Sequence, residues 1–319
     1  MRLPRRVILA ALATPALAQS WPARSVRLII PYGAGNLADS IGRQLGEALA
    51  QRWGQAVVPE NLPGAGGALG VAQLARAPAD GYTLAFIAMA ALTVTPHLAR
   101  APYDPNADLT PLGGVSVSSG YLAVHPSLGV RDMPGFQALA RARSAARDPL
   151  FYYSAGSGTV PHLNVEIMAR HYGFTAQHVP YRSSAAGLAD LVGGRVHFTM
   201  DSSSVSLPMI QAGRLVAIAT SASSRIPATP DVPLMAEVAP DLPLVAAWQG
   251  LFAPRGLAVE IAARIGADVA ALVADRGFTG RYVVGTDPFP LSPAELAARM
   301  RREHAALGQL VATLGLRAE

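Results

Sequence analysis

Short apolar runs alternate along this chain with longer stretches in which apolar residues recur at helical spacing. Runs at 26–31, 56–58 and 83–87 read as strands, with helices predicted over 39–52 and 71–77. Tyr121 to Val124 is another apolar run, followed by Pro126 and a turn-rich passage. A second series starts at 151–153 and continues through 177–179 and 196–200, with later strands at 215–219 and 250–253. The tail, 293–314, is a long amphipathic helix with Pro293 in its first turn, where a missing N–H costs nothing. This alternation predicts an α/β fold with mostly parallel sheets flanked by helices. Two successive series joined by apolar extended segments predict two lobes with strands crossing between them. A cleft then falls between the lobes, at the carboxyl ends of the strands.

One apolar run, 82–99, has no formal charge and the length of a membrane span. Thr83, Thr93, Thr95, Pro96 and His97 interrupt it, so it reads as a buried strand followed by a buried helix. The first residues read as an address. Arg2, Arg5 and Arg6 precede the apolar core 7–12, and Ala16-Leu17-Ala18 offers a cleavage site, so residues 1–18 are predicted to be an export signal removed after about Ala18. The paired arginines leave a twin-arginine route open beside the general one.

Composition narrows the function classes. Half the residues are apolar and 15% are charged, an ordinary globular balance. There is no cysteine, which excludes disulfides, thiolate zinc sites and a lipid anchor on cysteine. Every basic residue is arginine, which excludes Schiff-base and Walker lysines. The net charge of +5 is partly the signal's. Losing residues 1–18 removes three arginines and no acid, leaving 23 basic against 21 acidic groups, with no stripe suited to nucleic acid.

Small or hydroxyl residues stand directly before several predicted helices. They are Gly33 to Asn36, Gly64 to Gly67, Ser154 to Thr159, Ser183-Ser184 and Ser202 to Ser204. Glycine lets backbone N–H groups approach a ligand, a helix N-terminus supplies unpaired donors, and hydroxyls add adjustable ones. Such loops gathered at one cleft would hold a carboxylate without a basic side chain. The first loop also matches G-x-G-x-x-A from Gly33 to Ala38, the dinucleotide fingerprint. Its acidic partner is expected about 20 residues on, whereas Glu60 lies 27 residues after Gly33. The export signal weighs further against a nicotinamide enzyme.

Other catalytic patterns are incomplete. Ser157 lacks the G-x-S-x-G elbow because Ala155 holds the first glycine position. His162 and Glu166 share a helix face, but there is no H-E-x-x-H, and no metal site is expected. Asp201 ends a strand beside Ser202, either facing a ligand or capping the next turn. Arg182 either meets an anion or pairs within its lobe, and Trp248 reads as core.

The motifs in their order resemble the periplasmic substrate-binding proteins of tripartite tricarboxylate transporters, the Bug family, over nearly the whole mature chain. "WPARSVRLIIPYGAG", "VVPENLPGAGGALG", "YDPNADLTPLGGV", "YYSAGSGTVPHLNVE", "HVPYRSSAAGLADLVGGRVHFTMD" and "WQGLFAPRG" carry the likeness. The resemblance implies a two-lobed periplasmic binding fold, type II-like, that closes on a small organic acid without cofactor or metal. It implies ligand contacts from Tyr32, Gly33, Gly35, Asn36 and Asp39, and from Ser154, Gly156, Ser157, Gly158, Thr159 and His162, with Asp201 and Ser202 at the strand end. Lobe I is expected over 19–122 plus 226–319 and lobe II over 123–225. The implied protein is a monomeric periplasmic receptor, not an enzyme, binding a mono- or dicarboxylate for membrane transporter subunits. A sensory receptor for a two-component system is the alternative, ahead of an NAD-dependent enzyme. Ala34-Gly35-Asn36, Ser183, Ser202 and Thr95 depart from the family's usual residues and bear on ligand identity rather than on the fold.

Overall fold

The computed structural model describes residues 21–316, so the predicted export signal lies outside the described residues. The chain first forms β1 (Val26–Ile30), α1 (Leu37–Trp53), β2 (Val57–Asn61), α2 (Ala68–Ala75) and β3 (Thr83–Ala88). Two short helices, α3 (Ala90–Thr93) and α4 (Thr95–Leu98), lead to β4 (Leu109–Ser118). A second set follows: β5 (Tyr121–Val124), α5 (Met133–Ala145), β6 (Leu150–Ser154), α6 (Val160–Tyr172), β7 (Ala176–Pro180), α7 (Ser184–Val192), β8 (Phe198–Thr199), α8 (Ser203–Gln211) and β9 (Val216–Thr220). The chain returns through α9 (Met235–Val238), β10 (Ala247–Pro254), α10 (Val259–Ala274), α11 (Arg276–Thr279), β11 (Thr286–Pro288) and α12 (Pro293–Leu314).

The strands build two sheets, one in each lobe, ordered β11-β4-β10-β3-β1-β2 and β7-β6-β8-β5-β9. Parallel pairing joins β1 to β2 and β3, and β6 to β7 and β8. Antiparallel pairing joins β10 to β3 and β4, β11 to β4, and β5 to β8 and β9. Both sheets are thus mixed, where the alternation of elements predicts mostly parallel ones. The crossings are the reason. β10 enters the first sheet from the other lobe, without the helical crossover that parallel neighbours require.

Burial on both faces explains why the strands are apolar without alternation. In β1, Leu28 clusters with Leu45 and Leu49 of α1 and Ile265 and Val269 of α10. Its neighbour Ile29 clusters instead with Val71 of α2, Leu92 of α3, and Met300 and Leu307 of α12. In β6, Tyr152 clusters with Phe136, Met168 and Phe198, and Tyr153 with Leu191 and Leu207. Each such side chain contributes roughly 1.5–3 kcal/mol by leaving water.

The apolar run at 82–99 divides into β3 and two short helices, and no described helix is long and apolar enough to cross a membrane. The last helix has the bounds that the pattern predicts. Ser292 starts it with a capping box, in which its hydroxyl accepts the Glu295 N–H and Glu295 reaches back to the Ser292 N–H. Pattern reading overlooks β4, where Pro111, Gly113 and Gly114 break the strand signal, and α5, where Pro134 hides a helix start capped by Asp132.

Candidate functional site

The turn from β1 to α1 is held from within. Gly35 adopts φ +82°, a left-handed conformation in which a side chain is strained. Asn36 caps α1 by accepting the Asp39 N–H at 2.8 Å. Asp39 reaches back, its Oδ2 accepting the Gly35 N–H at 2.8 Å and its Oδ1 accepting from Arg43 and Asn61 at the same distance. Asn61 also donates to the Tyr32 carbonyl at 3.0 Å. Burial pushes the Asp39 pKa up, but the bonds from Gly35, Asn61 and Arg43 outweigh it and hold the carboxyl below its usual range. The Tyr32 hydroxyl is tied to Ala88 at the end of β3, accepting its N–H at 3.2 Å and lying 3.3 Å from its carbonyl. Gly33, Gly35 and Asn36 stay exposed, and a Cβ on either glycine would meet nothing within 4 Å.

The turn from β6 to α6 is built in the same way. The buried Ser154 hydroxyl lies 2.9 Å from the Gly156 carbonyl and 2.7 Å from His178 Nε2. The Thr159 hydroxyl donates to the same carbonyl at 2.7 Å. His162 Nδ1 accepts the Gly158 N–H at 2.9 Å, and its ring stacks on His178 with centroids 3.9 Å apart. Burial, and then His178, depress the His162 pKa to about 4, so the ring is neutral and its Nδ1 free to accept. Ser157 is half-buried and has no side-chain hydrogen bond among the described residues. A Cβ on Gly158 would collide with Leu98 of α4, so this loop of one lobe lies directly against the other.

An open cleft of about 360 Å³ runs between the lobes. Its lining includes Leu37, the first residue of α1, and Val160 and Pro161, the first two of α6. Asp201 and Ser202, ahead of α8, line it too. The other predicted site residues stand on the two loops or in the first turns of α1 and α6, outside the lining. Among them Asp39, Ser154 and His162 hold loop backbone in place. Pattern reading overlooks Ser119, Asn164, Ser221 and Gln249, which supply further polar lining. A lone glutamine in the apolar run around "WQGLFAP" is the one local signal among these. Val117, Met200, Leu242, Leu244 and Val245 form an apolar wall. Asp201 is the one ionisable side chain in the lining; no arginine or histidine joins it.

The remaining candidates have local partners. Glu60 pairs with Arg27 at 2.5 and 3.0 Å across the first sheet, which occupies the acid that a dinucleotide reading needs. Glu166 accepts the Tyr152 hydroxyl at 2.5 Å, and no group of three His, Asp or Glu among the described residues is placed to hold a metal. Ser183 caps α7, and Arg182 beside it is exposed and outside every described ion pair. Trp248 is fully buried and donates to Glu303 at 2.6 Å.

Two α/β lobes around an open cleft, with helix N-termini from both lobes in its lining, define the class of two-lobed solute-binding receptors. The family model of the tripartite tricarboxylate transporter family receptors matches residues 41–274, and the chain belongs to that family. Protein BugT of Bordetella pertussis is 31% identical over 77% of this chain and 76% of its own. The R. palustris protein Rpa4515, solved with adipate, superposes with a TM-score of 0.82 at 30% identity, covering 93% of this chain and 99% of that one. MatC of Rhodopseudomonas palustris, with bound malate, gives 0.76 at 28% identity over 91% and 100%. The periplasmic binding protein BugD gives 0.79 at 25% identity over 94% and 100%.

Proposed function

We propose that this protein is an extracytoplasmic receptor that captures a small carboxylate between its lobes and delivers it to a membrane transporter. The observation that carries this reading is the meeting of α1 and α6, one from each lobe, at a single cleft. Each presents unpaired N–H donors and a partial positive charge, so a carboxylate bound there is held from two sides without a basic side chain. Each charge-assisted bond in a closing, drying cleft contributes about 1.5–3 kcal/mol. The adipate and malate bound to the R. palustris relatives support a small carboxylate as ligand.

The lobes would close about the crossings. Gly120, between β4 and β5, donates to the Ser221 hydroxyl at 2.9 Å and accepts the Ser221 N–H at 2.8 Å, so the outgoing and returning segments are tied together there. Closure is then a two-state motion biased by ligand contacts made in the closed form.

The test is a thermal-shift screen on protein unfolded and refolded to strip any retained ligand, against dicarboxylates, tricarboxylates, aromatic acids and amino acids, with NAD(H) as the rival probe. Ligand at about 100 times its dissociation constant stabilises by about 2.7 kcal/mol, or roughly 5–10 °C. The Ser157→Ala and Gly35→Val double variant, folded, should lose most of that shift. A shift with NAD(H) alone, or full affinity in the folded double variant, overturns the reading.

A further inference from the structure

We infer that this cleft selects a monocarboxylate with an uncharged, apolar body, and discriminates against acids that carry a second carboxylate. The inference rests on the receptor reading above and assigns the part of the ligand that reading leaves open.

The polar side chains of the lining are engaged within the protein. Asn164 donates to the Val245 carbonyl at 3.1 Å and accepts the Val245 N–H at 2.8 Å. The Ser119 hydroxyl donates to the Gly285 carbonyl at 2.9 Å and lies 3.0 Å from the Ser203 hydroxyl. Ser221 accepts the Gly120 N–H at 2.9 Å. Gln249 accepts the Ser116 hydroxyl at 2.6 Å and lies 3.5 Å from that of Ser118. A ligand group that sought any of them would have to break a bond already made. What the cleft offers freely is apolar. Val117, Leu244 and Val245 are half-buried and line it, with Met200 and Leu242 packed behind. Apolar surface on the ligand gains by leaving water against this wall.

The three helix starts at the cleft differ in the same sense. The N–H groups of Leu37 and Val160, in the first turns of α1 and α6, have no acceptor among the described residues, and both residues line the cleft. They suit the one carboxylate. At the start of α8 the donors are taken: the Ser202 N–H goes to Asp201 Oδ1 at 2.7 Å and the Ser203 N–H to the Ser119 carbonyl at 2.9 Å. No arginine or histidine lines the cleft to replace them. A second carboxylate would therefore leave water without a cation or a free helix start to receive it, which is costly for a charge. Adipate, bound by the Rpa4515 relative, is thus the rival probe for this chain.

Calorimetry on the refolded protein tests it with two pairs of equal chain length, hexanoate against adipate and octanoate against suberate. The monoacid of at least one pair should bind more tightly than its diacid, by about 10- to 100-fold. Leu244→Arg sets a guanidinium on the wall and should move that ratio toward the diacid by about 10-fold or more. Val117→Thr keeps the shape, replaces a methyl with a hydroxyl, and should weaken monoacid binding by about 3- to 10-fold; it decides alone if Leu244→Arg does not fold. Diacids that bind at least as tightly as their monoacids in both pairs overturn the inference and leave the receptor reading standing. So does an unmoved ratio in folded Leu244→Arg, or unchanged monoacid affinity in folded Val117→Thr. Silence from these four acids and from every acid of the wider screen overturns both.

Discussion

Replacing His162 with asparagine isolates one buried imidazole and the loop it supports. Asparagine keeps an acceptor near the Gly158 N–H and removes the titrating ring. In the folded protein the ring has a pKa of about 4, because burial and then His178 disfavour the imidazolium; its ordinary value is 6.5. Between those values the unfolded chain takes up a proton that the folded chain refuses, so stability falls as pH is lowered through this window. At 1.36 kcal/mol per unit, lowering the pH from 7 to 5 costs about 2 kcal/mol through this group alone, and about 3 kcal/mol by pH 4. Urea denaturation at pH 7 and pH 5 reads the difference directly. His162→Asn should lose about 2 kcal/mol less than the wild type over that interval. His97 and His197, also depressed by burial, titrate in both proteins and cancel. Equal losses would show that His162 is not held neutral, and the account of the second loop would fall with it.

Two further substitutions test the packing behind the site. Asp39→Ala leaves the Gly35 N–H, the Asn61 amide and Arg43 without their shared acceptor, and should lower stability by about 2–3 kcal/mol in urea while weakening carboxylate binding; an unchanged midpoint would show that the first loop stands without its brace. Gly187→Ala drives a Cβ into the Tyr153 ring where α7 packs on β6, an overpacking cost of about 1–3 kcal/mol, and calorimetric unfolding that matches the wild type would refute that contact.

The two turns that lead into the helices at the cleft were legible along the chain. The turns after β1 and β6 stood out because glycine, serine and asparagine directly before an amphipathic run mark a loop entering a helix, and such signals lie within a few residues of one another. What those side chains do was not legible. Asp39 and His162 appear in the sequence as polar residues one turn into a helix, the place of a ligand contact. Beside near neighbours such as Gly35 and Gly158, each has a partner from a distant strand, Asn61 on β2 and His178 on β7, and folding turns both residues inward. Asp201 was ambiguous for the same reason, since only the fold buries it, with its Oδ1 accepting the Ser202 N–H.

By itself the sequence determined the two βα series, the bounds of the last helix, the glycine loops and the family likeness, all of which rest on periodicity and capping between near neighbours. Tertiary structure alone decided that both sheets are mixed, that Ser119, Asn164 and Gln249 join one cleft, and that the lining holds no cation. Those outcomes depend on which distant segments pack together. That choice is made by the summed burial of two-faced sheets and crossing strands, and no short window of residues contains it.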